Sequence, residues 1–161
     1  MSTFLDASDD DVAVIEAALG RSLAGRCAVV VRRLDGRPVV IENEPHLKDG
    51  TPMPTLYWLL DPAIKDQVSR LESEGGVHQY EEELGLENIA LAHDAYSRRR
   101  LNATVRLDAV QPTGGVGGTR VGIKCLHAHL AHFLVHRDDP VGALVATMID
   151  LPDLVVHEVR P

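Results

Sequence analysis

The chain has 161 residues, 24 acidic against 16 basic, and a formal charge of −8. That balance argues against nucleic-acid and anionic-membrane partners, both of which need clustered positive charge to displace counterions. The length suffices for a hydrophobic core without disulfide staples and predicts a single domain over residues 1–161.

No apolar run approaches the twenty or so residues of a membrane span, and the N-terminus has no signal-peptide pattern. Cys27 and Cys125 are too few for a secreted disulfide scaffold. A cytoplasmic protein is expected. A bridge between the two cysteines stays open at this point.

Residues 1–25 read as an N-terminal helical region. Asp9, Asp10 and Asp11 place negative charge at a helix start, and Val12, Ile15, Ala18 and Leu19 form an apolar face that Gly20 can end. Cys27–Arg33 and Arg37–Glu42 are β-branched runs around Asp35-Gly36, a dipeptide suited to tight hairpin turns. They predict two antiparallel strands.

Glu44–Pro54, with three prolines and Asp49-Gly50, predicts an ordered loop, followed by a third strand over Thr55–Leu60. Asp61-Pro62 then supplies an N-cap and a first-turn proline for a helix carrying Ile64, Val68 and Leu71, which Gly75-Gly76 stops. From Val77 to about Arg100 the chain predicts a short and a longer helix, separated near Gly85. Arg98-Arg99-Arg100 is the only basic run and reads as a solvated helix end.

Next comes the one concentration of reactive side chains: a glycine-rich loop, Gly114–Gly118, running into a helix with Cys125, His127, His129, His132 and His136. At about 100° per residue, Cys125, His129, His132 and His136 fall on one stripe, apart from an apolar arc of Ile123, Leu126, Leu130, Phe133 and Leu134. Asp139-Pro140 starts a last helix, residues 143–161 complete the C-terminal helix and tail, and Leu154–Val159 predicts a final strand. The class is α+β, a small mostly antiparallel sheet with helices packed against it.

Pro54–Leu59, Asp61-Pro62, Ser69–Glu72, Lys124–His127, Ala131-His132 and Pro140-x-Gly142 together resemble the mainly actinobacterial family catalogued as domain of unknown function 501. The resemblance covers residues 27–142 and implies no known activity. Its pattern matches Lys124, Cys125, His127 and His132. Relatives place Cys or His at the position of Asp61, which implies a site shared by that strand end and the helix. The cysteines that some relatives carry near Arg33 and Asp35 are missing here, which counts against a thiolate-rich zinc knot.

Three readings of the cluster stay open. Cys125, His127, His129, His132 and Asp61 offer the donors that zinc or another transition metal prefers, and a metal-bound water would support hydrolytic chemistry. Alternatively, backbone amides of Gly117 and Gly118, with Arg120 and Lys124, would bind a small phosphate or other anion at a helix N-terminus, where Cys125 would be activated as a nucleophile. In the third reading the cluster is architecture, and the protein is a metal-free adaptor or regulatory module with a protein partner. His46, His78, His93 and His157 receive no functional assignment, and Tyr57 and Trp58 are assigned to the core.

Overall fold

The structure is a computed structural model that describes residues 5–157. Among these residues are six helices and one four-stranded antiparallel sheet, so the α+β class holds.

Helix α1 spans Asp9–Leu19, with Ser8 accepting the Asp11 N–H at 3.1 Å and Gly20 closing it in the left-handed region. Strands β1 (Cys27–Arg33) and β2 (Pro38–Asn43) form the hairpin expected around Asp35-Gly36, where Gly36 takes φ 93°. Strand β3 (Tyr57–Leu59) is shorter than predicted and pairs with β2. Strand β4 (Leu154–Val156) pairs with β1 and gives the order β3-β2-β1-β4. Glu158 and Val159, included in the predicted last strand, lie outside the described residues.

Both faces of the sheet are covered. On one, Cys27, Val29 and Ile41 pack with Ile15, Ala18 and Leu19 of α1. On the other, Val31, Val40, Tyr57 and Leu59 meet the remaining helices in the larger core. These helices are α2 (Pro62–Ser73), α3 (Gly76–Leu84), α4 (Leu86–Ala103), α5 (Leu126–His136) and α6 (Pro140–Thr147). The break at Gly85 and the N-caps at Asp61 and Asp139 fall where the sequence places them.

Helix α5 is the centre of the larger core. Leu126, Leu130 and Leu134, spaced four apart on one face, have no exposed surface, and each burial contributes about 2 kcal/mol. Helix α6 crosses α5 at Gly142, where an added Cβ would lie 2.3 Å from both the His129 carbonyl oxygen and the Phe133 Cβ. The helices touch there backbone to backbone.

The third arginine of the basic run is not solvated. Arg100 is 4% exposed, and its guanidinium donates to the carbonyls of Pro54 (2.9 Å) and Gly114 (2.6 Å). Above it on α4, the Tyr96 hydroxyl accepts the backbone N–H groups of Leu56 (2.5 Å) and Tyr57 (3.1 Å). Carbonyls that would otherwise be buried unpaired explain why this cation turns inward.

Candidate functional site

Helix α5 begins one residue later than the stripe reading requires. Cys125 is extended (φ −154°, ψ 127°) and stands at the N-cap, so its side chain leaves the helical stripe and meets His127, two residues on, instead of His129. Cys125 Sγ lies 3.6 Å from His127 Nδ1. Glu72, near the end of α2, completes the group: one carboxylate oxygen accepts the Leu126 N–H at 2.8 Å, and the other lies 3.1 Å from His127 Nδ1.

One sulfur, one nitrogen and one oxygen thus lie within 4.8 Å of one another, all in partly buried side chains. On its far side, His127 Nε2 is 3.1 Å from Ser69 Oγ and 3.3 Å from the Lys65 carbonyl oxygen. A carbonyl can only accept, so the bond to Lys65 takes a ring proton on Nε2, and Nδ1 is the ring nitrogen that faces the Cys125 sulfur and the Glu72 carboxylate. Burial pushes the Cys125 thiol up from its usual range, and the Glu72 charge adds to this. The N–H groups of Ala128 and His127 only partly oppose it. This thiol is not primed as a free nucleophile.

Cys125 and His127 line a cleft of about 450 Å³, together with Leu19, Trp58, Lys65 and Lys124 among others. It runs between the β3 strand, α1 and the start of α5.

The other expected ligands are elsewhere. His129 and His132 have no exposed surface, and their Nδ1 atoms each lie 2.9 Å from Asp139 Oδ2. Asp139 Oδ1 also accepts the N–H groups of Val141 and Gly142, both at 3.0 Å. Burial would raise the Asp139 carboxyl, but these partners outweigh it and hold the group well below the carboxylate range. Arg99 donates to His132 Nε2 at 2.7 Å, so His132 carries its proton on Nδ1. His129 and His132 therefore face the core and share one carboxylate. His129 Nε2 has no partner among the described residues, yet a single nitrogen in a sealed core is one ligand where an ion needs several.

His136 Nε2 shares a 2.7 Å hydrogen bond with the Tyr57 hydroxyl, and burial lowers the His136 imidazole to about 4. Asp61 is bound twice by the Arg33 guanidinium and caps α2 through the Ile64 N–H. Burial raises its carboxyl, but Arg33 and the cap outweigh that and keep it below the usual range. The structure does not bring Asp61 to Cys125.

The predicted anion loop is occupied by its own contacts. Gly115 N–H donates to the Thr119 carbonyl, Val116 N–H to His93 Nδ1 and Gly118 N–H to the Gly115 carbonyl. Lys124 Nζ donates to the Gly117 carbonyl at 3.1 Å, and Arg120 is exposed and outside the cleft lining. At the α5 N-terminus, the Leu126 N–H that a phosphate would use is taken by Glu72.

Two residues were missed by sequence reasoning. Glu72 follows Val68 by four positions on the buried side of α2, and an acidic residue on an apolar helix face was the available signal. Asp139 was read only as a cap; nothing local shows that the same carboxylate collects two imidazoles from the preceding helix.

Among the described residues no helix is long and apolar enough to cross a membrane. No curated protein and no solved structure matches the chain. The family described as protein of unknown function (DUF501) matches residues 29–147, a span that runs from β1 to the end of α6 and includes Glu72, Cys125 and His127; the chain belongs to that family.

Proposed function

We propose that the protein binds a transition metal, zinc foremost, through Glu72, Cys125 and His127, and that the cleft beside them receives a substrate for hydrolytic chemistry. The observation that carries this is the convergence of three donors of different elements within 4.8 Å of one another. Carboxylate oxygen, imidazole nitrogen and sulfur are zinc's preferred ligands, and three protein ligands with one side open is the pattern of catalytic sites. A bound zinc would supply Lewis acidity and an activated water.

The chain's own residues support the reading. The Ser69 hydroxyl and the Lys65 carbonyl orient His127 from behind, as groups around a metal-bound imidazole do. The Leu126 N–H fixes Glu72 by one oxygen and leaves the other to ligate. Cys125 and His127 line the cleft wall, so the open coordination position would face the cleft.

Elemental analysis of protein never exposed to chelator tests this, with a Cys125→Ser, His127→Ala variant alongside. About one equivalent of zinc or iron in the wild type, absent from a folded variant, is the expected result. Metal-free wild-type protein would turn the assignment to the adaptor reading.

A further inference from the structure

We infer that the cleft takes a small amphipathic anion, a carboxylate or phosphate monoester headgroup carried on an apolar body. In naming what would reach the open side of the centre, the inference rests on the metal reading. Its own support comes from different residues.

The first support is the charge of the walls. In a chain with 24 acidic and 16 basic residues, this cleft is lined by two lysines, Lys65 and Lys124, and by no carboxylate. Lys65 is partly buried on α2, and its ammonium makes no ion pair among the described residues. Lys124 is held at the rim by the Gly117 carbonyl. Lys65 and Lys124 both line a cleft that also holds two residues of the cation site, and an anion bound there would offset their charge.

The second support is the remainder of the lining. Ala18, Leu19, Trp58, Leu59 and Ala128 offer an apolar surface, and the volume of about 450 Å³ is in the range of small-molecule sites, roughly 300–1,000 Å³. An inorganic anion would leave that surface wet, and a neutral apolar molecule would leave the lysines unanswered. One molecule carrying both features satisfies both. The chain's net charge of −8 favours a soluble small molecule over the headgroup of an anionic membrane.

Trp58 is the only tryptophan and lines the cleft, so its fluorescence reports occupancy directly. Octyl phosphate, octanol and octyltrimethylammonium, each kept monomeric, are titrated into wild-type protein, Lys65→Met and Lys48→Met, the last a lysine outside the lining. The expected result is saturable binding of octyl phosphate, at least tenfold tighter than either comparison compound. Lys65→Met weakens it at least tenfold, and Lys48→Met leaves it unchanged.

Equal binding of octanol and octyl phosphate overturns the inference, as does no response, a Lys65→Met variant that binds like wild type, or a response only to phosphatidylglycerol vesicles. Metal content measured on the same samples separates the two readings. Bound metal with no octyl phosphate response removes the anion alone, whereas tight, Lys65-dependent binding by metal-free protein keeps the anion and removes the metal centre.

Discussion

Glu72 on α2 caps α5 through the Leu126 N–H at 2.8 Å, so one carboxylate joins two helices and also faces the Cys125–His127 pair. The two roles can be separated by chemistry. Glu72→Gln keeps an oxygen for the Leu126 N–H and loses the charge, so stability should fall by less than about 1 kcal/mol while zinc affinity drops at least tenfold. Glu72→Ala should lower both, with about 1–2 kcal/mol lost in urea unfolding. Equal zinc affinity in Glu72→Gln and wild type would remove Glu72 from the ligand set.

Cys125 should be a slow thiol. Burial raises it, and burial raises Cys27 to about 11, so iodoacetamide at pH 7.5 should label neither rapidly, Cys27 being the slower because it is 3% exposed. Bound zinc should protect Cys125 further. Peptide mapping of a labelling time course checks this, and fast selective modification of Cys125 would restore the nucleophile reading.

Acid should weaken the fold in two stages. His136 has its folded value lowered to about 4, below the usual 6.5, so the unfolded chain binds its proton first; stability falls as pH drops from about 6.5 and this loss levels off below about 4. The ceiling for that stage is about 3 kcal/mol. His93, lowered by burial, contributes in the same direction. Asp139 works below that range: its folded value is depressed, so its stabilisation is complete above about 4 and is lost as pH falls further. Urea unfolding from pH 7 to 3 should show both stages, and His136→Gln should flatten the first. An unchanged slope between pH 6.5 and 4.5 in that variant would refute the assignment.

Gly142→Ala should be among the most damaging single-methyl additions. The new Cβ would meet the His129 carbonyl and the Phe133 Cβ at 2.3 Å, so α6 must move off α5 and loosen the Asp139 cap. A loss of about 3 kcal/mol is expected, lowering Tm by roughly 6–12 °C. Gly20→Ala, with open space around the Cβ but positive φ, should cost only about 1 kcal/mol. Calorimetry that ranks the two equally would mean that the α5–α6 contact yields easily.

Much of the architecture was legible because its signals are local. Asp35-Gly36 needs only its own turn chemistry to make a hairpin, and Asp61-Pro62 and Asp139-Pro140 each start a helix with their own side-chain oxygen. The site was less legible because it depends on one boundary and one distant partner. Placing Cys125 inside the helix sends it toward His129; placing it at the N-cap sends it to His127. The periodicity correctly groups His129, His132 and His136, but a helical period cannot say whether a face meets solvent, a metal or another helix's carboxylate. Glu72 lies more than fifty positions from Leu126, and only the packing of α2 on α5 joins them.

The arrangement on α4 has a consequence for how the cleft moves. Arg100 holds both Pro54, just before β3, and Gly114, at the start of the glycine loop, while Tyr96 holds Leu56 and Tyr57. The strand entry and the loop on either side of the cleft are therefore tethered to a single helical turn that does not itself line it. Neither can swing outward alone without stripping a buried guanidinium or phenol of its partners, so the amide hydrogens of Tyr57 and Gly115 should exchange with solvent in step, as parts of one cooperative unit.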